Sequence, residues 1–175
     1  MPAADLAAEL TGHIHRICEA LGCPPHDPHV TVLGDVRVAG AAAERAIESL
    51  APTYRPLALD ARSIASSAAR FEALTIRFHP STAFQAMAAA LRRHLALPAA
   101  APGEPHLSLA YPHQPFDPAG LVPLAEGVTL ANHMLFDRVA LVDPGPGRQD
   151  WHDVEAWRVI RSRPLGEVTT WTRRT

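Results

Sequence analysis

The chain has 175 residues, 47% of them apolar, with 18 acidic against 16 basic side chains for a formal charge of −2. That balance excludes a disordered chain, a fibre and a strongly basic polynucleotide binder, and the length suits one domain with a sizeable core. All sixteen basic residues are Arg, a bias that reads, with abundant Ala and Pro, as GC-rich coding. It still excludes a Walker-loop lysine, a Schiff-base lysine and the adenylated lysine of an ATP-dependent ligase, and leaves Arg as the sole phosphate-pairing cation.

In chain order, residues 3 to 21 carry Leu6, Leu10, Ile14, Ile17 and Leu21 at helical spacing and stop at Gly22 before Pro24-Pro25. Cys18 and Cys23, at that helix end, read as reduced thiols rather than a bridge. His13 and His15, with His26 nearby, invite a metal reading, but positions i and i+2 of a helix face different ways, so no metal is expected. A strand carrying His29 follows directly. Residues 40 to 51 predict a second helix, 55 to 65 and 70 to 78 two strands, and 81 to 97 a third helix carrying Phe84, Met87, Leu91 and Leu95. An Ala-Pro-Gly loop leads into a strand carrying His106. A short helix is expected around 117 to 125 despite Pro123, then strands near 127 to 131, 134 to 143 and 153 to 163, the last two joined by the turn Asp143-Pro144-Gly145-Pro146-Gly147.

Two strings stand out: His29-Val30-Thr31-Val32 and His106-Leu107-Ser108-Leu109. Alternate strand side chains share a face, so each would present an imidazole and a hydroxyl roughly 7 Å apart on one side and two apolar anchors on the other. With ten histidines in the chain, roughly one His-x-Ser/Thr arises by chance. His79-Pro80-Ser81 reads as that accident. Requiring apolar flanks cuts the expectation to roughly 0.2, yet two such strings are present. They recur about 77 residues apart, each on a strand with a helix before it, which suggests an internal duplication. Helices mixed with hairpin-like strands predict an α+β fold with antiparallel sheets and no linker dividing residues 1–175.

Pro28-His29-Val30-Thr31-Val32-Leu33-Gly34 and Pro105-His106-Leu107-Ser108-Leu109-Ala110-Tyr111 resemble the paired signature of the two-histidine (2H) phosphoesterases, most of all the cyclic phosphodiesterases of the plant and yeast type. Asp137-Arg138-Val139-Ala140-Leu141-Val142 followed by Trp157-Arg158-Val159 is similar to the C-terminal strand pair of that group, and Phe71-Glu72-Ala73-Leu74 to an aromatic-rich strand. The likeness spans roughly residues 28 to 163; only the two motifs are specific. It implies a two-lobed fold, each lobe an antiparallel sheet with outer helices, and an active site in the central groove.

The chemistry also follows from residue types. Opening a cyclic phosphodiester needs a group that deprotonates the attacking water and one that protonates the departing alkoxide. A pair of imidazoles suits both tasks near neutral pH without a metal or cofactor. Thr31 and Ser108 would donate to the non-bridging phosphoryl oxygens. The resemblance implies that His106 activates water and His29 protonates the leaving oxygen, giving a 2′-phosphate from a 2′,3′-cyclic phosphate. It also implies that Tyr111, which strict alternation leaves unplaced, contacts ribose or base, a slight bulge before Pro112 turning it inward; the alternative is a strand-end aromatic covering the core edge. Phe71 reads as a base-stacking ring or, preferred, a core or lobe-edge residue. Trp151 and Trp157 read as packing residues, His113 as a loop residue, and Arg92-Arg93 and Arg173-Arg174 as solvated surface pairs.

The expected enzyme is therefore a metal-independent hydrolase acting on a small molecule bearing a 2′,3′-cyclic phosphate, or on ADP-ribose 1″,2″-cyclic phosphate. An RNA-end 2′,3′-cyclic phosphodiesterase or 2′-5′ RNA ligase-like enzyme, and a non-catalytic phosphate-binding module, are the alternatives; the slightly acidic charge speaks against a long nucleic-acid partner. No stretch is long enough to span a membrane and Met1-Pro2-Ala3-Ala4-Asp5 lacks a signal pattern, so a cytoplasmic protein is expected.

Overall fold

The computed structural model describes residues 1–34, 36–101, 103–145 and 153–166; the positions of Trp151, Arg173 and Arg174 lie outside them. Among the described residues it is a mixed α+β structure with three small antiparallel sheets, as the element pattern predicts. The first helix, α1 (Ala4–Leu21), buries Leu10, Ile14, Ile17 and Cys18. It ends where Gly22 turns to φ 61°, with the Gly22 and Cys23 amides donating to the Glu19 and Cys18 carbonyls at 3.3 and 3.0 Å. This paired closure needs a left-handed residue that glycine supplies without strain, and it brings Cys18 and Cys23 together as the apolar contact across the cap. Both thiols are free and buried.

The other long helices are α2 (Gly40–Leu50) and α3 (Thr82–His94), the latter capped by Ser81, whose hydroxyl accepts from the Phe84 amide at 3.3 Å. The central sheet orders β2 (Ala61–Ser66), β3 (Leu74–Phe78) and β4 (His106–Ala110). β1 (Leu57–Leu59) pairs with β5 (Met134–Phe136), and β6 (Arg138–Asp143) with β7 (Arg158–Pro164), the C-terminal strand pair expected from sequence. α1 packs on β4, and Arg16 ties it to the 122–126 turn through the Leu124 and Glu126 carbonyls at 3.1 and 2.8 Å. α2 packs on α3 and on the β6–β7 pair. β4 carries the core: Leu107, Leu109 and Ala110 are fully buried.

Several sequence expectations are corrected. The 55–65 strand is two strands of different sheets, because Asp60 is a corner: its carbonyl accepts from His79 N at 2.9 Å and its carboxylate from His133 N at 2.8 Å. Residues 70–72 form a 3-10 turn ahead of β3. The 127–131 stretch is not a strand; Gly127 at φ 83° turns the chain there. The 134–143 strand breaks at Asp137, whose carbonyl takes the Leu165 amide at 2.7 Å. Residues 153–156 are a single helical turn, α5 (Asp153–Ala156), and the strand starts only at Arg158. The 117–125 helix is split into α4 (Pro118–Leu121) and a 3-10 turn at 122–125 carrying Pro123.

Most consequential for function, the first motif is not a full strand. It meets β4 at a single antiparallel bridge, Val30↔Leu107, and bends at Val32–Leu33. Pro28 lacks the amide that a longer ladder would use. Among the described residues no helix is long and apolar enough to cross a membrane.

Candidate functional site

The bridge between Val30 and Leu107 puts the two motifs side by side. His29 and His106 each stand one residue from a bridged position, so both imidazoles are brought to the same region of the molecule. Burial first, and the nearby His106 as a smaller cause, lower the His29 pKa. Both rings line one groove of about 1190 Å³ together with Thr31, Phe71, Tyr111 and Trp157.

The same backbone device orients both histidines. His29 Nδ1 lies 2.7 Å from the Asp27 carbonyl, and His106 Nδ1 lies 3.2 Å from the Glu104 carbonyl. A carbonyl only accepts, so in each ring Nδ1 carries the proton and donates, leaving Nε2 for chemistry in the groove. In both motifs a proline stands between that carbonyl and the histidine, as Asp27-Pro28-His29 and Glu104-Pro105-His106. Proline fixes its own φ and holds the preceding residue extended, which brings the carbonyl two positions back against the imidazole. The sequence repeat therefore starts two residues earlier than the His-x-hydroxyl pattern; the matched acid-proline pair was the signal available.

The two hydroxyls are treated differently. Thr31 is exposed in the groove. Ser108 is 4% exposed, and its hydroxyl donates to the Phe71 carbonyl at 3.0 Å. Ser108 fixes the Phe71 turn to β4 rather than facing the groove directly.

Tyr111 does turn inward, by a bulge three residues earlier than Pro112. Thr75 pairs with Ser108 and Leu74 with Ala110, so Leu109 is an extra residue in β4. A bulge shifts the alternation beyond it by one, bringing Tyr111 to the Ser108 side. Its ring packs 5.9 Å from Phe71, 5.6 Å from Trp157 and 4.5 Å from His26. Burial raises its phenol to about 12, so it stays a neutral donor. Phe71 is 47% exposed at the rim, not in the core.

Sequence reasoning missed three participants. Trp157, read as packing, lines the groove edge-on to His29 at 5.6 Å. Arg77 is the cross-strand partner of His106, its guanidinium held by Glu72 at 3.2 Å and Glu104 at 3.6 Å. His26, considered only for a metal, is 9% exposed, with Nε2 3.0 Å from the Ser108 carbonyl. Burial, then the adjacent His29, pulls its pKa down to about 4. Burial likewise holds the His29 imidazole below its ordinary value. Among the described residues no three His, Cys, Asp or Glu side chains gather as a metal site.

Compared with models of known protein families and with curated proteins, the chain matches none.

Proposed function

We propose that the protein is a two-histidine cyclic phosphodiesterase: a two-lobed 2H phosphoesterase-like domain that opens a 2′,3′-cyclic phosphodiester of a nucleotide, or ADP-ribose 1″,2″-cyclic phosphate, in the groove between the motifs. The observation that carries the reading is the matched pair of Nδ1 bonds, 2.7 Å to the Asp27 carbonyl and 3.2 Å to the Glu104 carbonyl, which frees two Nε2 atoms beside one groove. That is the arrangement needed for in-line displacement, with proton removal on one side of phosphorus and proton delivery on the other.

In the proposed cycle His106 takes the proton of the attacking water and His29 gives one to the departing 3′ oxygen, leaving a 2′-phosphate. The burial that lowers His29 works against a resting acid. A bound phosphodiester anion offsets it, because a nearby negative charge favours the imidazolium. Thr31 donates to one non-bridging oxygen from the groove. Ser108 reaches the other by turning its hydroxyl from the Phe71 carbonyl. Tyr111 and Phe71 flank the sugar and base.

The test is hydrolysis of 2′,3′-cyclic AMP in excess EDTA by the protein and by His29→Ala and His106→Ala. Turnover that survives chelation and falls about 10²- to 10⁴-fold in each variant is expected. Phosphorus NMR should find the 2′-phosphate. Turnover indifferent to both substitutions would sink the reading, and a 3′-phosphate would exchange the roles of the two rings.

A further inference from the structure

The third histidine at the site has a place that the two-motif pattern does not explain. His26 lies three residues before His29, and its Nε2 reaches across to the carbonyl of Ser108, 82 positions along the chain, at 3.0 Å. Since that carbonyl accepts, the His26 proton sits on Nε2, and Nδ1 meets no protein hydrogen-bond partner. One face of the ring is tilted on Tyr111 at 4.5 Å, and His29 stands edge-on at 5.9 Å. His26 therefore touches the first motif, the second motif and the groove aromatic at once. Among the described residues the first motif meets β4 through a single backbone bridge, Val30↔Leu107. One bridge fixes proximity but leaves the segment free to pivot about Leu107, and a second attachment four residues upstream removes that freedom.

Resting on the cyclic phosphodiesterase reading, we propose that His26 is a positioning residue that locks the two motifs in register: its donated bond to the Ser108 carbonyl sets where His29 stands against His106. His26 also lines the groove, but its donated bond ends on the Ser108 backbone and not in the groove, so the bond acts on the chemical step rather than on substrate capture. Gln carries an N–H at comparable reach and restores the lock. Phe and Met keep an apolar side chain against Tyr111 but have no donor.

The experiment compares His26→Phe, His26→Met and His26→Gln with the unaltered protein on 2′,3′-cyclic AMP, with thermal unfolding in parallel. We expect kcat to fall 10- to 100-fold in the folded Phe or Met variant at a KM within threefold, and His26→Gln to recover to within fivefold of the original. A kcat within twofold of the original in a folded donor-less variant overturns the proposal. So does loss of folding in both donor-less variants, or a loss that Gln does not rescue, since His26 is then structural only. If the unaltered protein fails to turn over cyclic nucleotides, the catalytic reading falls. The lock is then read from inorganic phosphate titrated against the histidine ring signals. His29 and His106 should follow one saturation curve in the original and in His26→Gln, and separate by tenfold or more in His26→Phe; a shared curve in His26→Phe overturns it.

Discussion

His29 and His106 share an orienting device, but burial pulls the His29 imidazole below its ordinary value. If His29 is the acid, kcat/KM falls as pH rises through that lowered pKa, so its optimum lies below the ordinary histidine value of about 6.5. The alkaline limb of kcat lies at higher pH, because the bound anion restores the proton. A pH–rate series separates the two limbs; kcat/KM that instead rises through that lowered pKa makes His29 the base. Thr31 is the hydroxyl already facing the groove, and Thr31→Val should lower kcat about 10²-fold, the cost of one oxyanion donor. At His26 the linkage has one sign. Its folded pKa of about 4 is below the unfolded value, so the stability tied to its neutral form is complete above the ordinary value and is lost as pH falls toward 4. The loss amounts to roughly 3 kcal/mol at the low end. Denaturant unfolding at pH 7 and 4.5 should show a smaller drop for His26→Gln than for the original.

Single elements differ in how far local sequence sets them. α1 forms as its apolar spacing and Gly22 stop predict, since both signals are local. The αL cap is testable: a Cβ at Gly22 meets nothing within 4 Å, so Gly22→Ala costs only its strained φ of 61°. About 1 kcal/mol is expected. Thermal unfolding should fall by about 2–4 °C. β4 forms where its apolar residues predict a strand, with Leu107 and Leu109 both fully buried although Leu109 sits at the bulge, and Leu107→Ala should destabilise by about 2–5 kcal/mol in denaturant unfolding. The first motif has the same alternation on paper, yet only Val30 bridges β4, because Pro28 withholds an amide and the chain bends at Val32. The sequence leaves Tyr111 between a bulge that turns it inward and a strand-end position over the core edge; the bulge at Leu109 depends on how β3 lies against β4, a non-local fact.

Across the molecule, charge is dispersed: Arg161 and Arg163 on β7 pair with Glu44 and Glu48 on α2, and Arg62 and Arg77 with Glu104. These four arginines are engaged by carboxylates of the same chain and are not free to pair with phosphates. Turnover of a mononucleotide should therefore change less than threefold between about 50 and 200 mM salt, where a contact with 6–10 phosphates would lose about 10³- to 10⁵-fold in affinity. The sequence by itself determined the α+β class, the position of α1, α2, α3 and β4, and the repeat that nominates His29, Thr31, His106 and Ser108, because periodicity, caps and strand alternation act over a few neighbouring residues. Only the tertiary structure decided that Ser108 is buried beneath Phe71, that Trp157 edges the groove, and that His26 joins motifs 82 residues apart. Those relations arise from contacts between segments far apart in the chain, and no local pattern encodes which of ten histidines will meet the carbonyl of a distant strand.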